Sequence, residues 1–169
     1  MVILAIDQAT ATGYSVIGEG GEILTSGTIH LADKNRTGES RGMRYVRFRK
    51  FLCDMVEQYG VDLFVHEQTL LRGGAATEIA NGLKGVILMV AAERGIEVSC
   101  VHTSELKKFA TGSGRADKEQ MVCAAKRLTN RVPCDDNEAD ALLIGLWAFQ
   151  RFAGAKSTKE TQRDPFGIL

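Results

Sequence analysis

Three features of the chain predict an α/β fold with a central mixed five-stranded sheet flanked by helices. An unbroken apolar run at residues 2–6 leads directly into Asp7, and the segment 61–67, Val-Asp-Leu-Phe-Val-His-Glu, carries a short apolar run whose strand ends on a second acid, Glu67. Unbroken apolar runs suit strands buried on both faces, because a half-exposed strand would alternate polar and apolar side chains. A helical apolar stripe lies between the two runs, so the second strand can return parallel to the first after a crossover. Two further strand-like segments follow the first run directly, joined by a glycine-rich turn at 18–21, as in an antiparallel meander.

In chain order, those segments are residues 13–17 and 22–31, and the polar stretch 32–42 makes a loop. Tyr45, Phe48, Leu52, Met55 and Tyr59 then recur at helical spacing, with Val46, Phe51 and Val56 widening the stripe and Gly60 as a stop. After the strand at 61–67 and a turn containing Arg72, a second helix is expected over 79–94, ended by Gly95, and a strand over 96–101. A short helix over 103–109, capped by Thr103 or Ser104, leads into a mobile glycine-rich connection at 111–117. Asp117 is placed to cap the next helix, 118–128. The final helix opens with acids near residue 135 and continues apolar to Phe149. One domain over 1–153 and a polar tail over 154–169 result, the tail closing on Phe166-Gly-Ile-Leu, a candidate docking peptide.

Composition narrows the classes. At 169 residues with 44% apolar content and 2 prolines, the chain suits one packed domain without a long disordered linker. Lys+Arg and Asp+Glu are 21 each, so no global basic field marks a nucleic-acid partner and any such surface must be local. The cysteines, at 53, 100, 123 and 134, form no CxxC pair, which fits reduced core thiols better than zinc or disulfides. Asp7 interrupts the only N-terminal apolar run, and no stretch approaches the length of a membrane span. A cytoplasmic protein is expected.

An ionised carboxylate at the end of a buried strand demands a cation, a metal or a donor network. Asp7 is therefore read as the fixed post of a metal site. Glu67, ending a parallel neighbour, should lie at the same sheet edge. Four-residue spacing puts Asp136 and Asp140 on one helix face, and three-residue spacing does the same for Asn137 and Asp140. Asp135 and Asp136 are equally explained as helix-start acids; Asp140 lies deeper, among apolar neighbours. Oxygen ligands without a Cys/His cluster point to Mg²⁺ or Mn²⁺, and acids on two strands and one helix suit a two-ion phosphodiester site. His66 should face away from Glu67 as a structural histidine.

Other features stay open. Arg41, Arg44, Arg47, Arg49 and Lys50 make either a solvated face or a phosphate-contacting edge. Gly82 and Gly85 thin one helix side for sheet packing or for a homodimer contact. Lys107, Lys108 and Lys118 flank the Gly-Ser-Gly loop, which lacks the P-loop spacing, so nucleotide binding by that route is discarded.

The segments ILAIDQATATGY at 3–14, VHEQ at 65–68, LKKFATGSGRADKEQM at 106–121 and DNEADALLIGLWA at 136–148 resemble, in order, the signature regions of the RuvC family of Holliday junction resolvases, within the RNase H-like superfamily. The resemblance implies an RNase H-like fold and a homodimeric, metal-dependent endonuclease that makes paired cuts in a four-way DNA junction. It implies Asp7, Glu67 and Asp140 as metal ligands, with Asp136 or Asn137 as the fourth. Lys118 resembles the family's basic residue near the scissile phosphate. Lys107 or Lys108 would be a second DNA-contacting cation, with Arg41, Arg44, Arg47, Arg72 and Arg115 as further DNA contacts. Three departures matter. Gln8-Ala9 stands where bacterial members commonly have Pro-Gly, suggesting a divergent, phage-type branch. Asn137 stands where an acid is usual, and Leu70 replaces an aromatic. The alternatives are an RNase H-like nuclease acting on other branched DNA or RNA–DNA hybrids, and a non-catalytic junction-binding module. A sugar-kinase or actin-like ATPase would need two such domains and more than this length.

Overall fold

The computed structural model describes residues 1–32, 40–68 and 74–153. Its sheet has the order β3-β2-β1-β4-β5, from β1 (Ile3–Asp7), β2 (Ala11–Ile17), β3 (Ile23–His30), β4 (Leu63–Glu67) and β5 (Glu97–Val101). β2 runs antiparallel to both β1 and β3, while β4 pairs parallel with β1 and with β5. Every strand but β2 therefore points the same way. The ends of β1, β3, β4 and β5 share one edge, where the predicted acids belong.

The helices are α1 (Met43–Tyr59), α2 (Ala75–Arg94), α3 (Thr103–Thr111), α4 (Lys118–Thr129) and α5 (Asp136–Phe152). Strand alternation separates two cores. Leu4, Ile6 and Phe64 pack with Phe48 and Leu52 of α1 and Leu83 and Ile87 of α2. Ile3, Ala5, Leu63 and Val65 face Leu106 of α3, Met121 of α4 and Leu143 and Ile144 of α5. Phe48 and Leu52 are fully enclosed, and each such side chain contributes roughly 1.5–3 kcal/mol.

Several boundaries move for local reasons. β2 starts at Ala11, because Ala11 and Thr12 pair with His30 and Ile29. α2 starts at Ala75, through an alanine-rich turn whose small side chains leave no apolar stripe to read. The cap of α3 is the extended His102, with no side-chain capping bond, rather than Thr103 or Ser104. Asp117 does cap α4, in a reciprocal pairing with Gln120. The glycine-rich connection, expected to be mobile, is fastened: Lys107 donates to the Ala116 carbonyl at 2.6 Å, Thr111 to that of Ser113 at 3.2 Å, and Ala116 is buried. Gly82 meets α1 rather than the sheet, since a β-carbon there would lie 2.5 Å from the Tyr45 hydroxyl; Gly85 faces open space. Of the cysteines only Cys53 is buried, and Cys100, Cys123 and Cys134 are exposed free thiols, so the expected core placement holds for one. Among the described residues no helix is long and apolar enough to cross a membrane. The tail at 154–169 lies outside the described residues.

Candidate active site

Asp7 and Glu67 each stand one residue beyond the Ile6–His66 pair that joins β1 to β4. Continuing the alternation, Asp7 follows Ile3 and Ala5, and Glu67 follows Leu63 and Val65, toward α3, α4 and α5. His66 takes the other side, as predicted. It is buried, its Nδ1 lies 2.8 Å from the Glu67 carbonyl oxygen, and burial lowers its pKa.

α5 lies close over β1 and β2 because small residues permit it. Gly13, the pairing partner of Asp7, carries no side chain where a β-carbon would strike the Asn137 carbonyl. At Gly145 a β-carbon would come 2.7 Å from Ser15 Oγ, and that hydroxyl donates to the Ala141 carbonyl at 2.8 Å. Asp140 sits between these two points, one residue before the bonded Ala141. The approach of helix to sheet thus brings the third acid to the other two.

The acids feel one another strongly. Burial, then Asp140, Glu67 and Asp136, push the Asp7 carboxyl from its ordinary 3.8 up to about 8, against the pull of Lys118. Burial, followed by Glu67 and Asp136, raises Asp140 to about 6. Asp136 moves the other way: Lys118 Nζ donates to its Oδ2 at 2.6 Å and lowers its pKa. Glu67, Asp136, Asp140, Lys107, Lys118 and Thr103 line one cleft of about 180 Å³. The carboxylates do not form a closed cage. Among the described residues, no three acidic, histidine or cysteine side chains already converge on one ion position. The donor set, all carboxylate oxygen around a half-buried acid short of positive charge, fits a hard divalent cation.

The remaining acids at the start of α5 are structural. Asp135 caps the helix, accepting from the Glu138 amide at 2.9 Å and from Thr28 Oγ1 at 2.7 Å, and both amides of Asn137 also bond to it. Glu138, buried, accepts from Ser26 Oγ and from the Cys134 amide, each at 2.6 Å. Burial pushes both carboxyls up, but these donors outweigh it and hold them below their ordinary values. Sequence reasoning missed this clamp of β3 onto α5. Ser26 and Thr28 alternate on one strand face, which is a faint sign of it.

The predicted cations divide. Lys107 and Lys118 line the acid cleft, whereas Lys108 belongs to a separate groove of about 370 Å³ with Glu105, Phe109, Trp147, Gln150 and Arg151. One helical step turns Lys108 away from Lys107. Arg115 is exposed on the fastened loop. α1 packs on the opposite sheet face, although it begins at the acid-bearing edge, where Arg47 donates to the Leu31 carbonyl at 2.8 Å. Arg49 pairs with Glu93 at 2.8 Å and Lys50 with Asp54 at 2.7 Å, so much of that basic run is matched locally. Arg41 is exposed and Arg44 half-buried. Arg72 and Leu70 lie outside the described residues.

A mixed sheet whose parallel strands end in acids, with a further acid brought down by a crossing helix, is the RNase H-like architecture that the sequence predicted. A family model described as "Crossover junction endodeoxyribonuclease RuvC" matches residues 3–147, and the chain belongs to that family. A RuvC from Ruegeria pomeroyi is 31% identical over 168 residues, covering 96% of this chain and 99% of the relative. One from an Anaeromyxobacter species is 30% identical, covering 91% and 75%. Among solved structures, Thermus thermophilus RuvC superposes with a TM-score of 0.73 over 90% of this chain and 96% of that one, at 21% identity. The same protein in complex with a Holliday junction substrate gives 0.77 over 91% and 96%, at 21% identity. These last likenesses establish the fold.

Proposed function

We propose that the protein resolves four-way DNA junctions by metal-dependent hydrolysis of phosphodiester bonds, with Asp7, Glu67 and Asp140 holding two Mg²⁺ or Mn²⁺ ions. The observation that carries this reading is the position of the half-buried Asp7 at the end of β1, beside the end of β4 that carries Glu67, where burial and the neighbouring Asp140, Glu67 and Asp136 carboxylates push its carboxyl up to about 8. Such a group is poorly accommodated until positive charge arrives. The ions, when bound, supply activation of the attacking water and stabilisation of the leaving oxygen.

The chain's own residues do the rest. Water's oxygen bonds to phosphorus as the bridging P–O bond breaks, one of the water's protons passes to solvent, and the departing oxygen takes up one proton from solvent. Asp7 and Glu67, on adjacent strands, and Asp140, from α5, would hold the ions against which the reacting phosphate is placed. Lys107 and Lys118 at the cleft rim offset the phosphate charge that the acids would otherwise repel. Arg41 and Arg44, at the same sheet edge, extend a cationic approach for the junction arms. A four-way junction presents two equivalent strands, so paired cuts call for two sites and hence for a homodimer, acting in the cytoplasm.

Asp7→Asn tests the reading directly. Cleavage of a synthetic four-way junction in Mg²⁺ should be abolished, while junction affinity stays at or above the wild-type value because none of the cationic side chains that approach the junction has been removed. Undiminished cutting would rule out the metal role. Binding without cleavage by the wild type in Mg²⁺ and in Mn²⁺ would favour a junction-binding module, and equal cutting of linear duplex or an RNA–DNA hybrid would favour a broader nuclease.

A further inference from the structure

Of the polar residues that open α5, three are already committed. Asp135 is taken up by the helix cap and Thr28, and Asn137 bonds to Asp135 through both its side-chain and backbone amides. The Asn137 carbonyl is pressed against Gly13. Glu138 is held by Ser26 and Cys134. Only Asp136 turns into the cleft with Glu67 and Asp140, one helical turn before Asp140. Its side chain is 43% exposed, so it can reach an incoming ion, and it accepts from the ammonium of Lys118 at 2.6 Å. That lysine is itself within the electrostatic reach of Asp140 and Asp7.

We infer that Asp136, and not Asn137, is the fourth carboxylate of the metal site, and that Lys118 competes with the metal for it. The inference rests on the metal-dependent reading above and concerns which residue completes the site. A position shift of one residue is possible because the clamp on β3 fixes the helical phase. Asp136 then faces the cleft while Asn137 faces the sheet. Lys118 has two positions of use: on Asp136 before the metal binds, and free to meet a phosphate after the metal has taken its place. An exposed ion pair is weak, so the competition amounts to no more than about a fivefold effect on metal affinity.

The experiment is calorimetric titration of Mn²⁺ into the full-length protein without DNA, with circular dichroism to check that each variant is folded. Asp136→Asn should weaken binding of at least one ion by about tenfold or more, on the scale of losing a metal-site partner. Asn137→Ala should leave affinity within about threefold, and Lys118→Met should tighten it by about two- to fivefold. The inference is overturned if Asn137→Ala loses as much affinity as Asp136→Asn loses, if Asp136→Asn loses none, or if Lys118→Met weakens binding. If wild type shows no saturable Mn²⁺ binding, or Asp7→Asn binds as wild type does, the metal reading itself fails. If Asp7→Asn loses binding and Asp136→Asn does not, only the assignment of the fourth ligand fails.

Discussion

Asp135 and Glu138 turn from the start of α5 toward β3, whereas Asp136 and Asp140 turn into the cleft. The first pair finds its partners inside the protein, in Thr28, Ser26 and backbone amides, and both carboxyls sit below their ordinary values. Across the helix, Asp140 is raised to about 6, and Asp136 is lowered chiefly by an exposed lysine. Residue type is nearly the same on both sides. Helical phase separates acids that hold the fold together from acids that require a cation from outside.

The largest effect expected from this contrast is kinetic. Asp140→Asn should lower the rate of junction cleavage by about three orders of magnitude, the scale of losing a group that stabilises the transition state directly. Its melting temperature in EDTA should not fall, because a repelled charge has been removed from a crowded set of carboxylates. A loss of activity that simply tracked a loss of stability would erase the distinction between the two sides of the helix.

Acidity should separate them as well. Asp7 and Asp140 have folded values raised from 3.8 to about 8 and about 6, so the native state binds more protons than the unfolded chain across those windows. Stability in EDTA should therefore fall as pH rises from about 4 to 8, by several kcal/mol, since each tenfold change in proton affinity between the two states corresponds to about 1.4 kcal/mol. Asp135 and Glu138 have lowered folded values, so their contribution is present above the ordinary carboxylate range and is lost as pH falls through the folded values. Urea melts at a series of pH values should show a maximum in mild acid. Asp7→Asn should flatten the alkaline limb, and saturating Mn²⁺ should do so in the wild type. An alkaline limb unchanged by Asp7→Asn would break the account.

The sequence disclosed the strand ends more readily than the helix start. Period-two alternation placed Asp7 and Glu67 on one face and His66 on the other, and the parallel crossover put both acids at one edge. Those rules depend on local pattern alone. Which of four consecutive polar residues at 135–138 faces the metal site depends instead on how α5 sits on β2 and β3. That is decided by Gly13, Gly145, Ser26 and Thr28, more than a hundred residues away from their partners. Nothing in the spacing of Asp136, Asn137 and Asp140 distinguishes i,i+3 from i,i+4 alignment with the cleft. Lys107 and Lys108 presented the same difficulty, and packing of α3 separated them. The local matching of Arg49 and Lys50 on α1 was hidden because their acidic partners, Glu93 and Asp54, lie a helix or a turn away.

The β3 clamp gives the smallest effects and the clearest test of the structural side of the comparison. Glu138→Gln keeps the shape and removes the charge that Ser26 and the Cys134 amide address, and should cost about 1–3 kcal/mol in urea unfolding. Asp135→Ala removes the helix cap and should cost about 1 kcal/mol, with Asp135→Ser recovering most of it because a hydroxyl still accepts from the Glu138 amide. At a temperature where all three variants are folded, Mn²⁺ affinity should stay within about tenfold of wild type, the lower end of what an outer-sphere partner contributes. A larger loss in Asp135→Ala that Asp135→Ser failed to restore would mean that the Asp135 carboxylate itself reaches the ion, and the division of the helix into a structural and a chemical side would have to be redrawn.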